Sequence, residues 1–209
     1  MSLHFYVQSV PGRASWDITK KNLDDSDAAG RYTRIVQQED ETARENFRRT
    51  FTEMANADCE WVVRLEDDLA GINKHIVSNT LSWNAKEDPK FGAGWLFAPG
   101  GGKLHRLHHP KGSQRWTQDL IHGALGVLMK RTLVMSILEG AEEWFHQNPG
   151  FGGDDIAICY GVVRMHKYIA IHSPSLLEHW DGPSASGHVF LRNAHTSRGT
   201  FDQEWQRKK

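Results

Sequence analysis

The chain of 209 residues has few cysteines and no long apolar run. Its two cysteines, Cys59 and Cys159, stand far apart without a second pair, which excludes a disulfide framework and the paired spacing of a zinc ribbon. We expect both to be reduced core residues. No apolar stretch approaches the roughly 20 residues that a bilayer-spanning helix requires, so we expect no membrane span.

Net charge and low-complexity tracts are also lacking. The formal net charge of -1 excludes the wholesale phosphate binding of a histone-like protein, although a local basic patch remains possible. With 39% hydrophobic residues and no long Pro, Ser or Gln tract, the composition is that of a soluble globular protein. The length favours one domain, residues 1–209, with one site. Residues 1–8 lack the parts of a signal peptide, so we expect a cytoplasmic protein.

Strand and helix patterns alternate in the first third of the chain. β-prone runs at 3–9, 32–37 and 61–65 are separated by amphipathic helices near 16–23 and 40–55. This order predicts an α/β fold, Rossmann-like, in which a mostly parallel central sheet is flanked by helices. In such sheets, ligands bind beyond the carboxyl ends of the strands.

The rest of the chain continues the pattern less regularly. We predict helices at 72–83, at 132–146 and from Asp154, and strands at 94–97, 124–129 and 168–172. Residues 100–118 are predicted to be a flexible loop or hairpin, and residues 182–209 a lid or tail.

Three consecutive carboxylates, Glu66, Asp67 and Asp68, follow the third strand. Their mutual repulsion would be relieved by a divalent cation that bridges to a diphosphate, and Mg²⁺ or Mn²⁺ suits such oxygen ligands. A solvated acidic turn is the alternative interpretation. The position after a buried strand is what favours a site.

Other polar residues stand at helix or strand ends. Asp154 and Asp155 occupy the first turn of a predicted helix, where free N–H groups and the helix dipole favour ionised carboxylates; ordinary helix capping is the alternative. His179 precedes Trp180 and is either a ligand or a packed histidine. Arg13 is either a binding residue or a surface charge.

Five segments, taken together and in order, resemble the glycosyltransferases of the GT-A fold. Residues 61–68 resemble the strand and acidic "DxD" signature of that family, with Glu66 in place of its first Asp. The other four are similar to the first strand and nucleotide-holding loop (5–13), the small-residue segment beside the donor sugar (122–131), the acidic helix start (152–156) and the late strand with its histidine (174–180, with Ser184 and Ser186).

The resemblance implies Mn²⁺ or Mg²⁺ as cofactor and a nucleoside diphosphate sugar, in particular a UDP-sugar, as donor. The implied metal ligands are Asp68, Glu66 as its same-side neighbour, and His179. The implied nucleotide-sugar-binding residues are Ser9, Val10, Arg13, Glu66, Asp67, Gly123 and Ala124. Asp155, with Asp154 beside it, would be the catalytic base that takes the proton of the acceptor hydroxyl, which implies inversion at the anomeric carbon.

Two acceptor classes remain open. The stretch 103–111 with Arg115 and Trp116 is basic and carries an aromatic residue, a composition able to meet phosphates and stack a base. We take Trp95, Arg106 and Trp116 as candidate acceptor-binding residues, with the core as the alternative place for the tryptophans. The compact chain resembles virus-encoded enzymes that glycosylate hydroxymethylated bases in DNA, which would act in the host cytoplasm. A growing surface glycan is the other acceptor.

Two rival functions use the same residues. A metal-dependent phosphoester hydrolase or nuclease would place cations on the carboxylates of both acidic segments. A nucleotide-binding or DNA-binding module without catalysis is the second rival. Turnover that depends on a sugar donor separates the three.

Overall fold

The computed structural model describes residues 2–97, 113–116 (backbone only), 125–149, 153–172, 174–180, 201 and 203–206. The strands of this part are β1 (Leu3–Ser9), β2 (Tyr32–Val36), β3 (Trp61–Glu66), β4 (Leu69–Ile72), β5 (Phe91–Trp95), β6 (Ser113–Trp116), β7 (Gly126–Lys130), β8 (Tyr168–His172) and β9 (Leu177–His179). Its α-helices are α1 (Ser15–Asp24), α2 (Ala43–Ala55), α3 (Ile76–Leu81), α4 (Val134–Gln147) and α5 (Asp154–Arg164), with 3₁₀ turns at Asn84–Glu87 and Arg131–Leu133.

Seven strands form one central sheet in the order β2-β1-β3-β7-β5-β8-β6. Five of them run in the same direction, while β6 and β7 run antiparallel to their neighbours. A separate two-stranded antiparallel sheet pairs β4 with β9. The predicted fold class, an α/β fold with a mostly parallel sheet flanked by helices, is thereby confirmed.

An apolar layer covers each face of the central sheet. Phe47 and Phe51 of α2 pack with residues of α4 and α5 on one face, and residues of α1, α3 and β4 pack on the other. Helices α4 and α5 approach so closely that a Cβ added at Gly161 would collide with the carbonyl oxygen of Ile137. The two helices thus contact each other backbone to backbone, which fixes the position of α5 on the sheet.

Two short strands differ from the sequence prediction. The predicted helix 72–83 begins later, at Ile76, because the preceding residues form β4 and pair with β9 from the far end of the chain. Residues 113–116 of the predicted loop form β6, antiparallel to β8 at the sheet edge. The rest of the predicted loop 100–118 lies outside the described residues.

The described part of the predicted tail lies against the connection between β4 and α3. The backbone oxygen of Trp205 accepts hydrogen bonds from the side chains of Asn73 and Asn79, at 2.9 Å each. The backbone N–H of Lys74 donates to the oxygen of Gln203, also at 2.9 Å. Residues 182–200 and 207–209 are not among those described. No helix in the described ranges is long and apolar enough to cross a membrane.

Candidate active site

The alternation of side chains along β3 separates the acidic residues at its end. Val62 and, two residues later, Arg64 face the layer of α2, α4 and α5, whereas Val63 and Leu65 face the opposite layer. Asp67 follows the second set, and its backbone oxygen accepts a hydrogen bond from the hydroxyl of Thr19 in α1. The three neighbouring carboxylates therefore have different surroundings.

Asp67 holds the loop that follows β1. Its carboxylate is fully buried and accepts hydrogen bonds from the Ser9 hydroxyl at 2.6 Å, the Val10 backbone N–H at 3.0 Å, and the Arg13 guanidinium. Ser9 is buried as well. The side chains of Ser9 and Asp67, both predicted to bind the nucleotide sugar, therefore bind each other and are shielded from solvent. Both residues hold the loop that carries Val10 and Arg13, two further members of the predicted nucleotide-sugar-binding set.

Asp68 lies beside His179. The pairing of β4 with β9 sets Leu69 opposite His179, and the backbone N–H of Trp180 donates to the backbone carbonyl oxygen of Asp68 at 2.8 Å. As a result, Asp68 Oδ2 is 3.5 Å from His179 Nε2 and 3.6 Å from Arg13 Nη1. The structure thus joins the acidic segment to the late strand, which stand more than half the chain apart.

The second oxygen of Asp68 fits a cation. Oδ1 is buried and has no hydrogen-bond partner within the described residues. Leaving a buried carboxylate oxygen without a donor is costly, and such positions in native proteins often mark an ion site. Burial alone would raise the pKa of Asp68, but the hydrogen bond and charge of His179 and the charge of Arg13 outweigh it and lower that pKa. Asp68 is therefore ionised at neutral pH, as an oxygen ligand of a cation would have to be.

The described ranges contain no group of three or more His, Cys, Asp or Glu residues placed to hold a metal ion together. Mg²⁺ is commonly bound by one or two protein carboxylates, with substrate phosphates and water as its remaining ligands. Asp68 supplies one such carboxylate, and His179 beside it would add a nitrogen ligand, so that substrate phosphates and water would have to complete the coordination.

A second cluster surrounds the buried guanidinium of Arg64. Its Nη2 donates to Asp154 Oδ2 at 2.6 Å, its Nη1 lies 3.3 Å from Glu66 Oε1, and its Nε donates to Gln8 Oε1 at 2.8 Å. The guanidinium of Arg64 therefore connects the two predicted acidic segments, through Glu66 and Asp154. The sequence analysis singled out neither Arg64 nor Gln8. The signal for Arg64 was a lone charge in an apolar strand, two residues before Glu66 and on the same face.

The carboxylates of this cluster repel one another. Burial raises the pKa of Glu66, and Asp68, Asp154 and Asp155 add to the rise, while Arg64 opposes it. The side chain of Glu66 is still 31% exposed, so water in the cleft limits the effect of burial. Burial also raises the pKa of Asp154, with Asp155 adding to the rise and Arg64 and Arg44 opposing it. A bound cation would relieve this repulsion.

The base candidate lies at the start of α5. Asp155 Oδ1 accepts the backbone N–H of Ile156 at 2.9 Å, and a Cβ added at Gly153 would come within 3.0 Å of the same oxygen. Asp155 is close enough to Glu66 for its charge to raise the pKa of Glu66. The structure thus brings the predicted base to the same edge of the sheet as the acidic strand end.

The remaining predicted residues fall outside the site or outside the described residues. Trp95 is fully buried in the core, which fits the core alternative and leaves it no surface for an acceptor. Trp116 lies in β6, of which the backbone is described. Arg106, Gly123 and Ala124 lie outside the described residues.

No protein-family model matches the sequence, and no curated protein matches it. Solved structures do match. A197 from STIV is 14% identical, with a TM-score of 0.52 and coverage of 94% of this chain and 96% of that one. The galactosyltransferase LgtC, in complex with donor and acceptor sugar analogs, is 11% identical, with a TM-score of 0.50 and coverage of 93% and 92%.

The mannosyltransferase PcManGT from Pyrobaculum calidifontis, solved with GDP-Man and Mn²⁺, is 16% identical, with a TM-score of 0.49. The match covers 81% of this chain but 56% of that one, so this chain spans about half of its length. At these identities the likeness is one of fold. The protein has a GT-A-like fold, which it shares with the galactosyltransferase LgtC.

Proposed function

We propose that the protein transfers a sugar from a nucleoside diphosphate sugar, with a UDP-sugar as the first candidate, to an acceptor hydroxyl, and that it requires Mn²⁺ or Mg²⁺. The observation that carries the proposal is the pair of Asp68 and His179 at the carboxyl end of β3, with a buried Asp68 oxygen that has no donor in the described part of the chain. The carboxyl end of such a strand is where α/β sheets bind their ligands.

Val10 and Arg13 would hold the donor diphosphate from one side. Asp67 fixes the loop that carries them, so the backbone there is ordered before the donor arrives. Asp68 and His179 would hold the cation, which neutralises charge that develops on the diphosphate leaving group. Asp68, whose pKa is lowered by His179 and Arg13, carries a negative charge at this edge of the sheet, which favours cation binding.

Asp155 would act as general base. It would accept the proton of the acceptor hydroxyl as that oxygen forms a bond to the anomeric carbon and the bond from that carbon to the diphosphate breaks. The electron pair of the broken bond leaves with the diphosphate. A single displacement of this kind inverts the anomeric configuration, so we propose an inverting enzyme.

For the acceptor, both candidates enter the experiment: a hydroxymethylated pyrimidine base in DNA and a surface glycan. Trp116 and Arg106 stay proposed acceptor contacts, and the cytoplasm stays the proposed compartment. A base in duplex DNA would have to leave the stack to reach the site.

The test is transfer of labelled sugar from a panel of nucleotide sugars, with Mn²⁺, to hydroxymethylated DNA and to short glycans. The wild type should label one of the two acceptors, and Asp155→Asn should not, because an amide cannot take the proton. A phosphodiester substrate without donor serves as the parallel arm. Metal-dependent cleavage of that substrate without sugar transfer would replace our proposal with the hydrolase.

A further inference from the structure

A charged side chain lies inside the central sheet, at Arg64 of β3. Its side chain is 2% exposed. Burying a guanidinium carries a large desolvation cost, which an apolar residue of similar size would avoid. The position of Arg64 therefore requires an explanation that stability alone does not supply.

The contacts of Arg64 join three elements. Its guanidinium donates hydrogen bonds to Gln8 near the end of β1, to Glu66 of its own strand, and to Asp154, the first residue of α5. Helices are usually fastened at their start by a Ser, Thr, Asp or Asn side chain at the N-cap. In α5 the N-cap is Gly153, which has no side chain. The hydrogen bond of 2.6 Å from Arg64 therefore ties the first turn of α5 to the sheet.

Farther along its length, α5 packs closely against α4. Gly161 touches α4, two turns after Asp154. That contact fixes the middle of α5, and Ile156 and Ala157 bury apolar side chains near its start. The Arg64–Asp154 bond adds the polar contact that ties the first residue of the helix to the sheet. An angular error at the first turn would move Asp155 relative to the metal site.

On the basis of the function proposed above, we propose that Arg64 is a positioning residue. It anchors Asp154, and through Asp154 it places Asp155, the base, against the acidic end of β3. Asp154 is then the anchor of α5, and its role is to accept a hydrogen bond rather than a proton.

Substitutions at position 154 separate these two roles. Asp154→Asn keeps an oxygen that can accept from Arg64, so transfer should stay within about tenfold of wild type, whereas Asp154→Ala should lower kcat by about 100-fold, since a displacement of about 1 Å costs that much. Asp155→Asn should abolish transfer. The KM for the donor should change little in both Asp154 variants. An Asp154→Asn variant as inactive as Asp155→Asn would overturn the proposal.

Arg64→Lys tests the same contact from the other side. A lysine keeps the charge but lacks the planar fork, so kcat should fall about 100-fold, as in Asp154→Ala. Arg64→Lys combined with Asp154→Ala should be no worse than Arg64→Lys alone, because both changes remove the contact between residues 64 and 154. The matched control is Arg48→Lys, whose guanidinium makes a similar fork to Glu142 on the surface, at 2.9 Å for both bonds. It should match wild type. Losses that multiply in the double variant would contradict the account.

Hydrogen exchange tests the anchor without any activity. The amide of Ala157 donates to the Gly153 oxygen at 3.1 Å, in the first turn of α5. Asp154→Ala and Arg64→Lys should speed exchange at 157–159 by about tenfold, through local opening, and leave 162–164 unchanged. Unchanged exchange at 157–159 would refute the anchor even if sugar transfer is found. Faster exchange in a chain that turns over no donor would keep the anchor and reject the proposed function.

Asp154→Asn covers the case in which Arg64→Lys does not fold, because it keeps an acceptor for the buried guanidinium. The side chain of Asp154 is 29% exposed at a helix start, a place where substitution is tolerated better than inside a sheet.

Discussion

Neighbouring residues of one type have different functions at the end of β3. Asp67 is buried with both oxygens bonded, while Asp68 has one buried oxygen without a donor in the described residues. The first arrangement stabilises the fold, and the second leaves an oxygen on which we propose that a cation binds. The sequence shows two identical side chains, and the difference arises from the residues that each one contacts: Ser9 and Val10 for Asp67, and His179 for Asp68.

Asp67→Ala is predicted to lower the free energy of unfolding by about 3–5 kcal/mol, the usual loss when one partner of a buried ion pair is removed. Arg13 and the Ser9 hydroxyl lose their partner in that variant. Asp68→Ala should change stability by about 1 kcal/mol or less, because it removes a carboxylate that is incompletely bonded. Urea unfolding measures both. Equal losses in the two variants would mean that the two residues have the same structural role.

The pairing of Glu41 with Arg49 gives a pH dependence. Arg49 donates two hydrogen bonds to the carboxylate, at 2.8 and 2.7 Å, and a third to the Val36 oxygen at the end of β2. The hydrogen bonds from Arg49 hold the pKa of Glu41 below its ordinary value of 4.5. A lowered folded-state pKa stabilises the fold above 4.5, and this contribution is lost as the pH falls through the lowered value.

Glu41→Gln should therefore be less stable than wild type at pH 7, and the difference should shrink as the pH falls below 4.5. Thermal unfolding from pH 7 to pH 3 measures the difference. Glu39→Gln is the control, since Glu39 is exposed and precedes the same helix. A gap between wild type and Glu41→Gln that stayed constant with pH would contradict the ion pair.

At the scale of elements, local patterns predicted the strands and helices that carry their own periodicity. Strands β1 and β8 have the predicted bounds, and α5 starts at the predicted residue, Asp154. The pattern failed for β4 and β6, which are four residues long and pair with strands distant in sequence. Their stability comes from these partners, and no window around them contains that information.

The site was predictable in part for the same reason. The acidic strand end and the acidic helix start were singled out because each stands at an element boundary, and His179 was singled out by the resemblance of the late segment to the GT-A family. Their joining by Arg64 and by the β4–β9 pairing is a long-range contact that the sequence does not display.

The close contact of α4 with α5 predicts that a methyl group added at Gly161 destabilises the fold. Gly161→Ala should lower the free energy of unfolding by about 1–3 kcal/mol, because the added carbon meets the Ile137 carbonyl and the helices must move apart. Urea unfolding measures the loss. Ser136→Ala, an exposed position of α4, is the control and should be neutral or slightly stabilising. A neutral Gly161→Ala would show that α5 can shift at no cost.

At the scale of the whole molecule, the two ends of the chain support the site from opposite sides. The loop after β1 holds Asp67, and the segment 203–206 lies against the connection that follows β4. The Trp205 ring lies 5.6 Å from that of His172, and a Cβ added at Gly71 would come within 2.8 Å of Phe201. Strand β4, whose pairing with β9 brings His179 to Asp68, is thus packed from its far side.

Truncation after residue 200 should lower the free energy of unfolding by at least about 2 kcal/mol. The side-chain N–H groups of Asn73 and Asn79, both buried, lose the Trp205 oxygen, and each buried donor left unpaired costs about 1–3 kcal/mol. Truncation after Gln206 keeps that acceptor and should retain wild-type stability. Thermal unfolding compares the two. A full-stability chain ending at residue 200 would refute the supporting role of this segment.

The most direct test of the central claim is metal-dependent release of nucleoside diphosphate from a panel of nucleotide sugars, with Mn²⁺ and with EDTA. Wild type and Asp25→Ala, a surface carboxylate paired with Lys21, should release the diphosphate with Mn²⁺ alone. Asp68→Ala should release none, because the cation loses its ionised ligand. Release by Asp68→Ala at the wild-type rate, or no release by the wild type from any donor, would contradict the account.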